Sequence, residues 1–546
     1  MRGLLLFSAF LAHADHAATT PTPTPAVEAL HARMQAIVDE YSNVTGIPMQ
    51  ASYVTGDIDL AVAADPWGAT FGRAPIGVDS PFLYGSGVKT FVGARTMQQV
   101  EAGVLSLDDK AAKWMDPVLD AMNGTSLSKL LGPNASAVTV GHLVRMSSGI
   151  ADYDVPDVDF PVLDAANVTS PLDILYMFPQ RSQFACAPGT CVSYSSTNFL
   201  LAGFVLLGAA GLPAAQLRAL GDEAWTALPQ LAVLEYAAGG AAARRARYPN
   251  TRFLAHGALN ASGLAIPGFN SNYRDPRTGQ VQPRAKVWEQ DASILGWTCG
   301  NLLTTAREEA RFLWDLLGDP ASPVVSAPSR AAMSAVRPLT EGWADRAPYW
   351  LQYGTGLMVQ TVYDGDYGPG PFEMNGTGAH LGHGGMTYGF FSNSGFFPLV
   401  NATMSCGMSQ PDIPVGINAQ TDDVLCAVLQ AAAALLHGNN VSLRCHAPTQ
   451  MYSCVPGGAN TSSSLGQCVP DVAGVYSPLS QDSTHSRYEH GCALPGTATT
   501  CRLPPAPTPP TPAPPARFKC VKALKLCLKF RSGDFNSTDS CKSACH

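Results

Sequence analysis

Apolar residues recur at helical spacing from Val27 onward, with Leu30, Met34 and Ile37 on the same face. Directly before them, residues 19–27 alternate threonine and proline, which is typical of a short extended linker. The pattern therefore predicts that the folded part of the chain begins with a helix near Val27.

Two further helices are predicted from apolar spacing. One carries apolar positions between Val88 and Met97 and is followed by a glycine-broken exit at residues 101–109. The other spans residues 424–436 and would close the folded region. Both are predicted to pack one face against a core.

Capping residues mark two more helix starts. At residues 139–149, Thr139 is expected to cap the start and Gly149 to close the end. Thr305 and Glu308 have the capping-box spacing ahead of an amphipathic run. Both segments are therefore predicted to be helical.

Strand signals cluster later in the chain. Residues 388–392 and 394–400 are apolar and aromatic, and a glycine-containing turn is predicted to separate them, which is typical of two adjacent antiparallel strands. Beyond Gly438 no hydrophobic period is sustained, and residues 504–515 form a proline-rich spacer. We therefore expect the chain after Gly438 to lie outside the main domain.

Composition indicates a globular protein of the secretory pathway. The chain has 546 residues, of which 46% are hydrophobic and only 14% charged. An apolar run from Leu4 to Ala12, followed by small residues, predicts a signal peptide at residues 1–18 and a secreted protein. Ten glycosylation sequons predict N-linked glycans, at Asn43, Asn123, Asn134, Asn167, Asn260, Asn375, Asn401, Asn440, Asn460 and Asn536.

Charge and hydropathy argue against two classes of partner. The formal net charge is −8, and no basic stripe occurs before the lysine-rich residues 519–529, so nucleic acid is not an expected partner. No segment after the signal peptide has ~18 uninterrupted apolar residues, so no transmembrane helix is expected.

The fourteen cysteines are interpreted first as disulfides, because the expected compartment is oxidising. Cys186 and Cys191 flank a turn and are predicted to pair with each other. Five cysteines precede residue 438, so one of them must stay free or pair with the nine that follow. Tight cysteine pairs and His-Cys clusters at zinc spacing are lacking, and neither a metal nor another cofactor is expected.

Ser86 and Lys89 form the most informative pair in the chain. Three positions apart at the start of the predicted helix, the hydroxyl and the amine lie on one face, so the lysine can hold or take the serine proton. The same spacing recurs at Ser126 and Lys129, but that copy follows a polar loop with a sequon. Ser86 is therefore the candidate nucleophile.

Two later motifs accompany Ser86 in a specific order. Pro188-Gly-Thr-Cys-Val-Ser-Tyr-Ser-Ser contains Tyr194, and Gly382-His-Gly-Gly-Met precedes the aromatic strand segments. An S-x-x-K pair, a tyrosine motif and then H-x-G resemble the serine beta-lactamase-related family, which includes class C beta-lactamases, D-alanyl-D-alanine peptidases and family VIII esterases. The segments 100–109, 139–149 and 299–313 are also similar to family signatures.

The resemblance implies a fold and a division of the chain. It implies an α/β (α+β) fold, in which helices flank an antiparallel sheet beside a mostly helical subdomain. A disulfide-rich C-terminal tail would follow. In chain order, the predicted segments are a signal peptide (1–18), a hydrolase domain (27–437), a cysteine-containing extension (438–502), a proline-rich linker (503–517) and a small cysteine-rich module (518–546). The last module would need its disulfides to fold. It either binds a surface or protein partner or is simply a tail held together by disulfides.

The resemblance also implies roles for individual residues. Ser86 would be acylated, Lys89 would exchange its proton, and Tyr194 would act on the leaving-group side. Burial and mutual proximity are expected to lower the pKa of both Lys89 and Tyr194. Backbone N–H groups of Ser86 and Met386 would hold the oxyanion.

The remaining site residues depart from the common family pattern or form the substrate edge. Ser196 stands where many members have asparagine, and His383 stands where the K-T-G version has lysine. Ser196, Gly384 and Gly385 are assigned to substrate binding, with Gly385 leaving room for the substrate. His383 is counted with the catalytic residues. These differences favour an ester or a small-molecule or peptide amide over a true lactam as substrate.

Simpler interpretations compete with these roles. Tyr194 could be a core aromatic residue, and His380 with His383 could bind a metal. His142, Ser147 and Ser148 are interpreted as structural. No G-x-S-x-G elbow occurs, which argues against an α/β-hydrolase. The rival hypothesis for the whole chain is a catalytically inactive binding protein that attaches to a partner through its cysteine-rich tail.

Overall fold

The computed structural model describes most of the chain between residues 23 and 448 and short strands beyond. The described ranges are 23–45, 47–66, 75–154, 170–177, 184–219, 230–266, 269–270, 285–286, 290–342, 351–362, 376–409, 420–445, 447–448, 452–455, 466–470, 501–502, 517–521 and 526–530. The predicted signal peptide and residues 503–516 of the proline-rich linker lie outside them. Within these ranges, no helix is long and apolar enough to span a bilayer.

An eight-stranded antiparallel sheet forms the centre of the molecule. The strands, in chain order, are β1 Met49–Val54, β2 Asp59–Ala64, β8 Arg337–Pro338, β9 Gln352–Tyr353, β10 Met358–Thr361, β11 Ala379–Thr387, β12 Phe390–Phe397 and β13 Ala402–Ser409. Their spatial order is β2-β1-β13-β12-β11-β10-β9-β8. A second sheet of three strands has the order β3-β7-β4, with β3 Phe82–Gly85, β4 Arg252–Phe253 and β7 Leu302–Thr304.

Two helices at opposite ends of the domain cover one face of the large sheet. Helix α1, Pro25–Thr45, begins where the apolar spacing predicts, and the last helix of the domain, Gln420–His437, packs along it. Their buried side chains share one apolar cluster with β1 and β13, including Leu30, Met404 and Leu429. The first and last helices thus close the core together.

The other described helices lie on the opposite face of the sheet or in a mostly helical region. In chain order they are α2 Val88–Glu101, α3 Ala111–Asn123, α4 Leu127–Leu131, α5 Val140–Val144, α6 Pro171–Met177, α7 Ser196–Ala209, α8 Ala214–Ala219, α9 Ala232–Ala238, α10 Ala241–Arg247, α11 Ala306–Leu313 and α12 Ala327–Met333; the Gln420–His437 helix is α13. Helix α7 is apolar on all sides and lies at the centre of the helical region, where it contacts α2, α3 and α5. This architecture confirms the expected fold class.

The two predicted aromatic strands are in fact one. Residues 390–397 form the continuous strand β12, and the turn lies earlier, at Tyr388 and Gly389. The polar residues expected to turn have buried partners in the sheet: Ser392 Oγ donates to the Tyr84 carbonyl at 3.0 Å and Asn393 Nδ2 to Asp422 at 2.6 Å. Satisfied hydrogen bonds therefore let a polar segment lie inside a buried strand.

Helix α5 is shorter than its sequence predicts. Thr139 caps it as expected, forming a capping box with His142, but the helix ends at Val144 rather than Gly149. Gly149 has φ +73°, and a Cβ built on it would lie 2.1 Å from the Cys186 carbonyl oxygen. This glycine therefore allows a close approach to the 184–186 segment rather than closing the helix.

The cysteines of the domain pair partly as predicted. Cys186 and Cys191 form the expected disulfide, and Cys426 of α13 pairs with Cys445 beyond residue 438. Cys299 and Cys406 are buried free thiols. Later in the chain, strands β14 Tyr452–Val455, β15 Gly466–Pro470 and β16 Cys501–Arg502 form one small sheet, and β17 Arg517–Val521 pairs with β18 Leu526–Phe530. The two remaining two-residue strands, β5 Phe269–Asn270 and β6 Ala285–Lys286, pair with each other.

Candidate active site

Ser86 lies in the tight turn between β3 and α2. Gly85 has φ +49°, a left-handed conformation that favours glycine, and the Gly87 N–H donates to the Tyr84 carbonyl at 3.0 Å. The Lys89 N–H then donates to the Ser86 carbonyl at 3.0 Å, which starts the helical turn. The serine is thus presented where a strand turns sharply into a helix.

The structure brings Ser86, Lys89 and Tyr194 together. Lys89 Nζ donates to Ser86 Oγ at 2.7 Å, and the Tyr194 hydroxyl donates to the same oxygen at 2.9 Å. Lys89 is fully buried, and its ammonium also donates to the Cys299 carbonyl at 2.7 Å. Its position 5.2 Å from the Tyr194 ring centroid adds a cation–π contact. Two donors thus converge on the one serine oxygen.

The protonation of the pair differs from the sequence-based expectation. Burial alone would lower the pKa of Lys89, but Tyr194, Cys299 and Asp152 offset burial and leave it above the usual value. Burial likewise raises the pKa of Tyr194, and Lys89 with Ser86 offsets only part of that rise. The expected lowering of both pKa values was wrong. Burial raises the pKa of the Tyr194 phenol, and the groups around Lys89 outweigh the lowering effect of burial on the amine. The resting site therefore holds an ammonium and a neutral phenol.

The backbone of β11 abuts the turn that carries Ser86. A Cβ built on Gly85 would lie 2.6 Å from the Met386 carbonyl oxygen, and one on Gly385 would lie 1.9 Å from the Tyr84 carbonyl oxygen. The backbones at Ser86 and Met386 are therefore neighbours, as an oxyanion site requires. The missing side chain of Gly385 makes room for β3 rather than for substrate, which corrects the sequence-based interpretation.

The strand edge beside Ser86 is open. Strand β10 pairs with β11 only from Ala379 to Gly382, so residues 383–387 have no strand on that side among the described residues. Gly384 faces the Gln360 amide, and the Met386 side chain is 55% exposed. A substrate chain could therefore lie along this edge.

His383 is buried and neutral. Its Nδ1 donates to the Gly384 carbonyl at 2.5 Å, and its Nε2 accepts from the Tyr353 hydroxyl at 3.1 Å. Burial, reinforced by the nearby Lys89, lowers the pKa of His383 to about 3. The ring centroid is 6.2 Å from that of Tyr194, so an uncharged imidazole stands at the position of the family lysine.

Ser196 occupies the first turn of α7. Its backbone N–H donates to Asp152 Oδ1 at 2.9 Å, and its side chain is buried. The substrate contact assigned to Ser196 from the sequence stays a prediction. Asp152 itself was not singled out from the sequence, since its loop carries no spacing that points to chemistry.

Two other contacts of the site were not predicted from the sequence. The Cys299 carbonyl accepts from Lys89, and Tyr353 orients His383. The segment beginning at Cys299 was noted only for its family resemblance. A signal for Tyr353 is lacking, because a single tyrosine in a two-residue strand looks like any core aromatic residue.

The competing interpretations are resolved by position. Ser126 caps α4 by accepting the Lys129 N–H at 3.3 Å, and the Lys129 side chain is exposed. His380 and His383 are an odd number of residues apart on β11, so they point to opposite faces and cannot share a metal. The Tyr194 hydroxyl is bonded to Ser86 rather than to a core partner. His142 and Ser148 hydrogen-bond within the loops and helix ends around them.

Comparison with solved structures finds proteins of the same fold. The chain resembles D-amino acid amidase from Ochrobactrum anthropi SV3, solved with D-phenylalanine, with 16% identity and a TM-score of 0.53 over 74% of this chain and 98% of that one. It also resembles an octameric penicillin-binding protein homologue from Pyrococcus abyssi, with 18% identity and a TM-score of 0.50 over 75% of this chain and 78% of that one.

The sequence comparisons point to one family. Comparison with curated proteins gave no significant match. The profile described as Beta-lactamase matches residues 34–405, which include Ser86, Lys89, Tyr194 and His383. Together with the structural neighbours, the match supports a serine hydrolase. The chain belongs to the Beta-lactamase family.

Proposed function

We propose that this protein is a secreted serine hydrolase that forms an acyl-enzyme on Ser86. The observation that carries the proposal is the convergence of Lys89 Nζ and the Tyr194 hydroxyl on Ser86 Oγ, at 2.7 and 2.9 Å. A serine hydroxyl becomes an effective nucleophile only when an adjacent base can take its proton. Lys89 and Tyr194 are the groups placed to do so.

The reaction would proceed in two halves. After the site loses one proton to solvent, Ser86 Oγ attacks the substrate carbonyl carbon and its proton passes to Lys89 or Tyr194. The Ser86 and Met386 N–H groups stabilise the oxyanion, and Tyr194 returns a proton to the leaving oxygen or nitrogen as its bond to carbon breaks. Water then attacks the acyl carbon and gives a proton to the same pair. The pair returns that proton to Ser86 Oγ as the ester bond breaks, which releases the acid product and restores the serine hydroxyl.

The charges of the site favour esters and amides over lactams that carry a carboxylate. His383 is neutral at pH 7, so this position provides no fixed cation for a substrate carboxylate. Ser196 is buried with its backbone bonded to Asp152 and is shorter than the asparagine common in the family. An esterase or peptidase therefore fits the site better than a true beta-lactamase.

A covalent probe tests the proposal. We expect a fluorophosphonate to label the wild-type protein, Ser86→Ala to abolish labelling, and Ser126→Ala to leave it unchanged. Ser126 is the matched control because it shares the S-x-x-K spacing but only caps a helix. A folded wild-type protein that never labels would contradict the proposal and support the inactive binding protein instead.

A substrate screen defines the bond that is cleaved. The panel contains short-chain nitrophenyl esters, D-alanyl peptides, D-phenylalanine amide and nitrocefin, each assayed with wild type and Ser86→Ala. We expect Ser86-dependent turnover of an ester or amide that exceeds that of nitrocefin. Preferential turnover of nitrocefin would overturn the esterase or peptidase assignment.

We also propose that the protein is glycosylated in the secretory pathway. Six of the ten sequon asparagines lie in the described ranges, and all six are exposed: Asn43, Asn123, Asn134, Asn260, Asn401 and Asn440. Exposure is required for attachment of a bulky glycan. Expression in a eukaryotic host should yield secreted protein whose mass falls on treatment with an N-glycosidase. Retention of unmodified protein inside the cells would contradict this proposal.

A further inference from the structure

Met146 has a backbone conformation that residues other than glycine rarely adopt. Its φ is +54°, in the left-handed region, and the residue follows the end of α5 at Val144. Its side chain is fully buried in an apolar cluster against which Tyr194 packs. A strained conformation of this kind persists only where surrounding contacts hold it, and such residues are concentrated at functional sites.

The carbonyl oxygen and the sulfur of Met146 bind the residues on either side of Tyr194. The carbonyl accepts the Ser193 N–H at 2.8 Å, and the thioether sulfur accepts the Ser195 N–H at 3.4 Å. Tyr194 is the residue between them, and its hydroxyl donates to Ser86 Oγ. Met146 therefore holds the backbone from which the phenol reaches the nucleophile.

The sulfur of Met146 also binds the first turn of α7. Asn198 Nδ2 donates to it at 3.4 Å, while Asn198 Oδ1 accepts from the Ser148 hydroxyl. Ser195 and Asn198 are both buried, and neither the Ser195 N–H nor Asn198 Nδ2 has another acceptor among the described residues. A thioether is a weak acceptor, but its removal would leave two buried donors unpaired, which is costly. The segment would then move to find other partners.

Two further carbonyl groups hold the loop that leads to the tyrosine. The Ser147 carbonyl accepts the Gly189 N–H at 2.8 Å, and the Gly149 carbonyl accepts the Ala185 N–H at 2.7 Å. The backbone of this loop is thus fixed at several points, and Met146 makes the bonds nearest the phenol.

We propose that Met146 is a positioning residue that holds the Tyr194 hydroxyl against Ser86 Oγ through its carbonyl and thioether hydrogen bonds. This inference rests on the proposed hydrolase function. Because Met146 acts through Tyr194, its contribution to turnover should vanish when the Tyr194 hydroxyl is removed.

A double-mutant cycle with Tyr194→Phe tests this role. Met146→Leu keeps the apolar volume and removes the sulfur acceptor. With a nitrophenyl ester, we expect Met146→Leu alone to lower kcat/KM by about 10-fold, because a displacement of ~1 Å in an active site can cost ~10²-fold. In the Tyr194→Phe background, the same substitution should change kcat/KM by less than about 2-fold.

Met358→Leu is the matched control. Met358 is buried in the same apolar cluster, and its sulfur accepts no hydrogen bond among the described residues. We expect this variant to keep kcat/KM near the wild-type value, since it changes the packing of the cluster without removing an acceptor.

The outcomes distinguish this inference from the proposed function. If Met146→Leu lowers kcat/KM equally in both backgrounds, or in neither, Met146 does not position Tyr194, and the inference fails while the hydrolase function stands. If the folded wild type neither reacts with a fluorophosphonate nor hydrolyses the ester, the hydrolase function itself fails. Should Met146→Leu not fold, Met146→Ala removes the same acceptor and enters the same cycle, and failure of both variants to fold would overturn the positioning role.

Discussion

At the scale of single residues, the chemistry depends on one buried amine. Lys89 has no exposed surface, yet its pKa lies above the usual value, because its interactions with Tyr194, Cys299 and Asp152 outweigh the lowering effect of burial. The serine oxygen accepts hydrogen bonds from both the ammonium and the phenol, so the resting site is protonated. Activation therefore requires that a proton leave.

Reactivity should increase with pH. The pKa values of Lys89 and Tyr194 are both raised, so the basic form that accepts the Ser86 proton becomes more populated as pH rises above 7. We expect the second-order rate of fluorophosphonate labelling to rise from pH 7 to pH 9. His383 has a pKa of about 3, so this imidazole should contribute no step near pH 6.5. A rate that falls with increasing pH would contradict this protonation state.

Removal of one hydroxyl should nearly abolish turnover. Tyr194→Phe keeps the ring against Lys89 but removes the group that bonds Ser86 Oγ. We expect kcat/KM to fall by about 10²- to 10⁴-fold, the usual contribution of a general acid or base. The matched control is Tyr53→Phe, because Tyr53 is a buried tyrosine in β1 whose hydroxyl donates to the Val400 carbonyl at 3.4 Å, away from Ser86. Equal activity of the two variants would remove Tyr194 from the mechanism.

At the scale of elements, local sequence signals predict where helices begin, but they predict two strands where the structure has the single strand β12. Thr139 and Thr305 cap α5 and α11 as their spacing predicts, because a cap involves residues only three apart. Strand β12 was divided wrongly because its polar residues find partners in β3, β13 and α13, far away in sequence. The local pattern of polar and apolar residues carries no information about partners that only the tertiary fold brings close.

Helix α11 carries two adjacent glutamates with opposite environments. Glu308 accepts hydrogen bonds from Asn250 and Thr251, whereas Glu309 Oε2 is buried and has no partner among the described residues. Burial raises the pKa of Glu309 to about 8. The two positions therefore predict opposite effects of the same substitution.

Glu309→Gln should stabilise the protein as pH rises. The unfolded side chain ionises near pH 4.5 and the folded one near pH 8, so folding takes up a proton between these values. The contribution of Glu309 to wild-type stability is thus greatest below pH 4.5, and it falls by up to about 1.4 kcal/mol per pH unit as pH approaches 8. Denaturant titrations at pH 4 and pH 8 should show the gain of Glu309→Gln only at pH 8.

Glu308→Gln is the matched control for that experiment. It weakens hydrogen bonds to a charged acceptor and should destabilise the protein by about 1 to 2 kcal/mol at pH 8. A Glu309→Gln variant that is destabilised to the same extent at pH 8 would show that Glu309 is paired and ionised in the folded state.

At the scale of the whole molecule, chain segments far apart close one domain. Helices α1 and α13 share one apolar cluster, and a disulfide ties α13 to Cys445 beyond the domain end expected from the sequence. The cysteine count required one core cysteine to stay free or pair with the tail, and Cys426 is the one that pairs there. Because Cys445 falls in the extension, the described structure continues past residue 438.

Loss of this disulfide should lower thermal stability. The double variant Cys426→Ala/Cys445→Ala releases a loop of 19 residues, which predicts a loss of about 2 to 4 kcal/mol and a lower Tm. Cys186→Ala/Cys191→Ala opens a loop of only 5 residues and should cost less. Differential scanning calorimetry of both variants compares them, and a larger loss for the shorter loop would contradict the prediction.

The sequence by itself determined the features that depend on neighbouring residues: the S-x-x-K spacing, the helix caps, the order of the motifs and hence the family resemblance. Helical geometry is local, so Ser86 and Lys89 share a face wherever the helix lies. Only the tertiary structure decided the arrival of Tyr194, 108 residues from Ser86, and of the Cys299 carbonyl, 210 residues from Lys89. It also decided the proton states, because a pKa depends on burial and on charges that distant segments bring together.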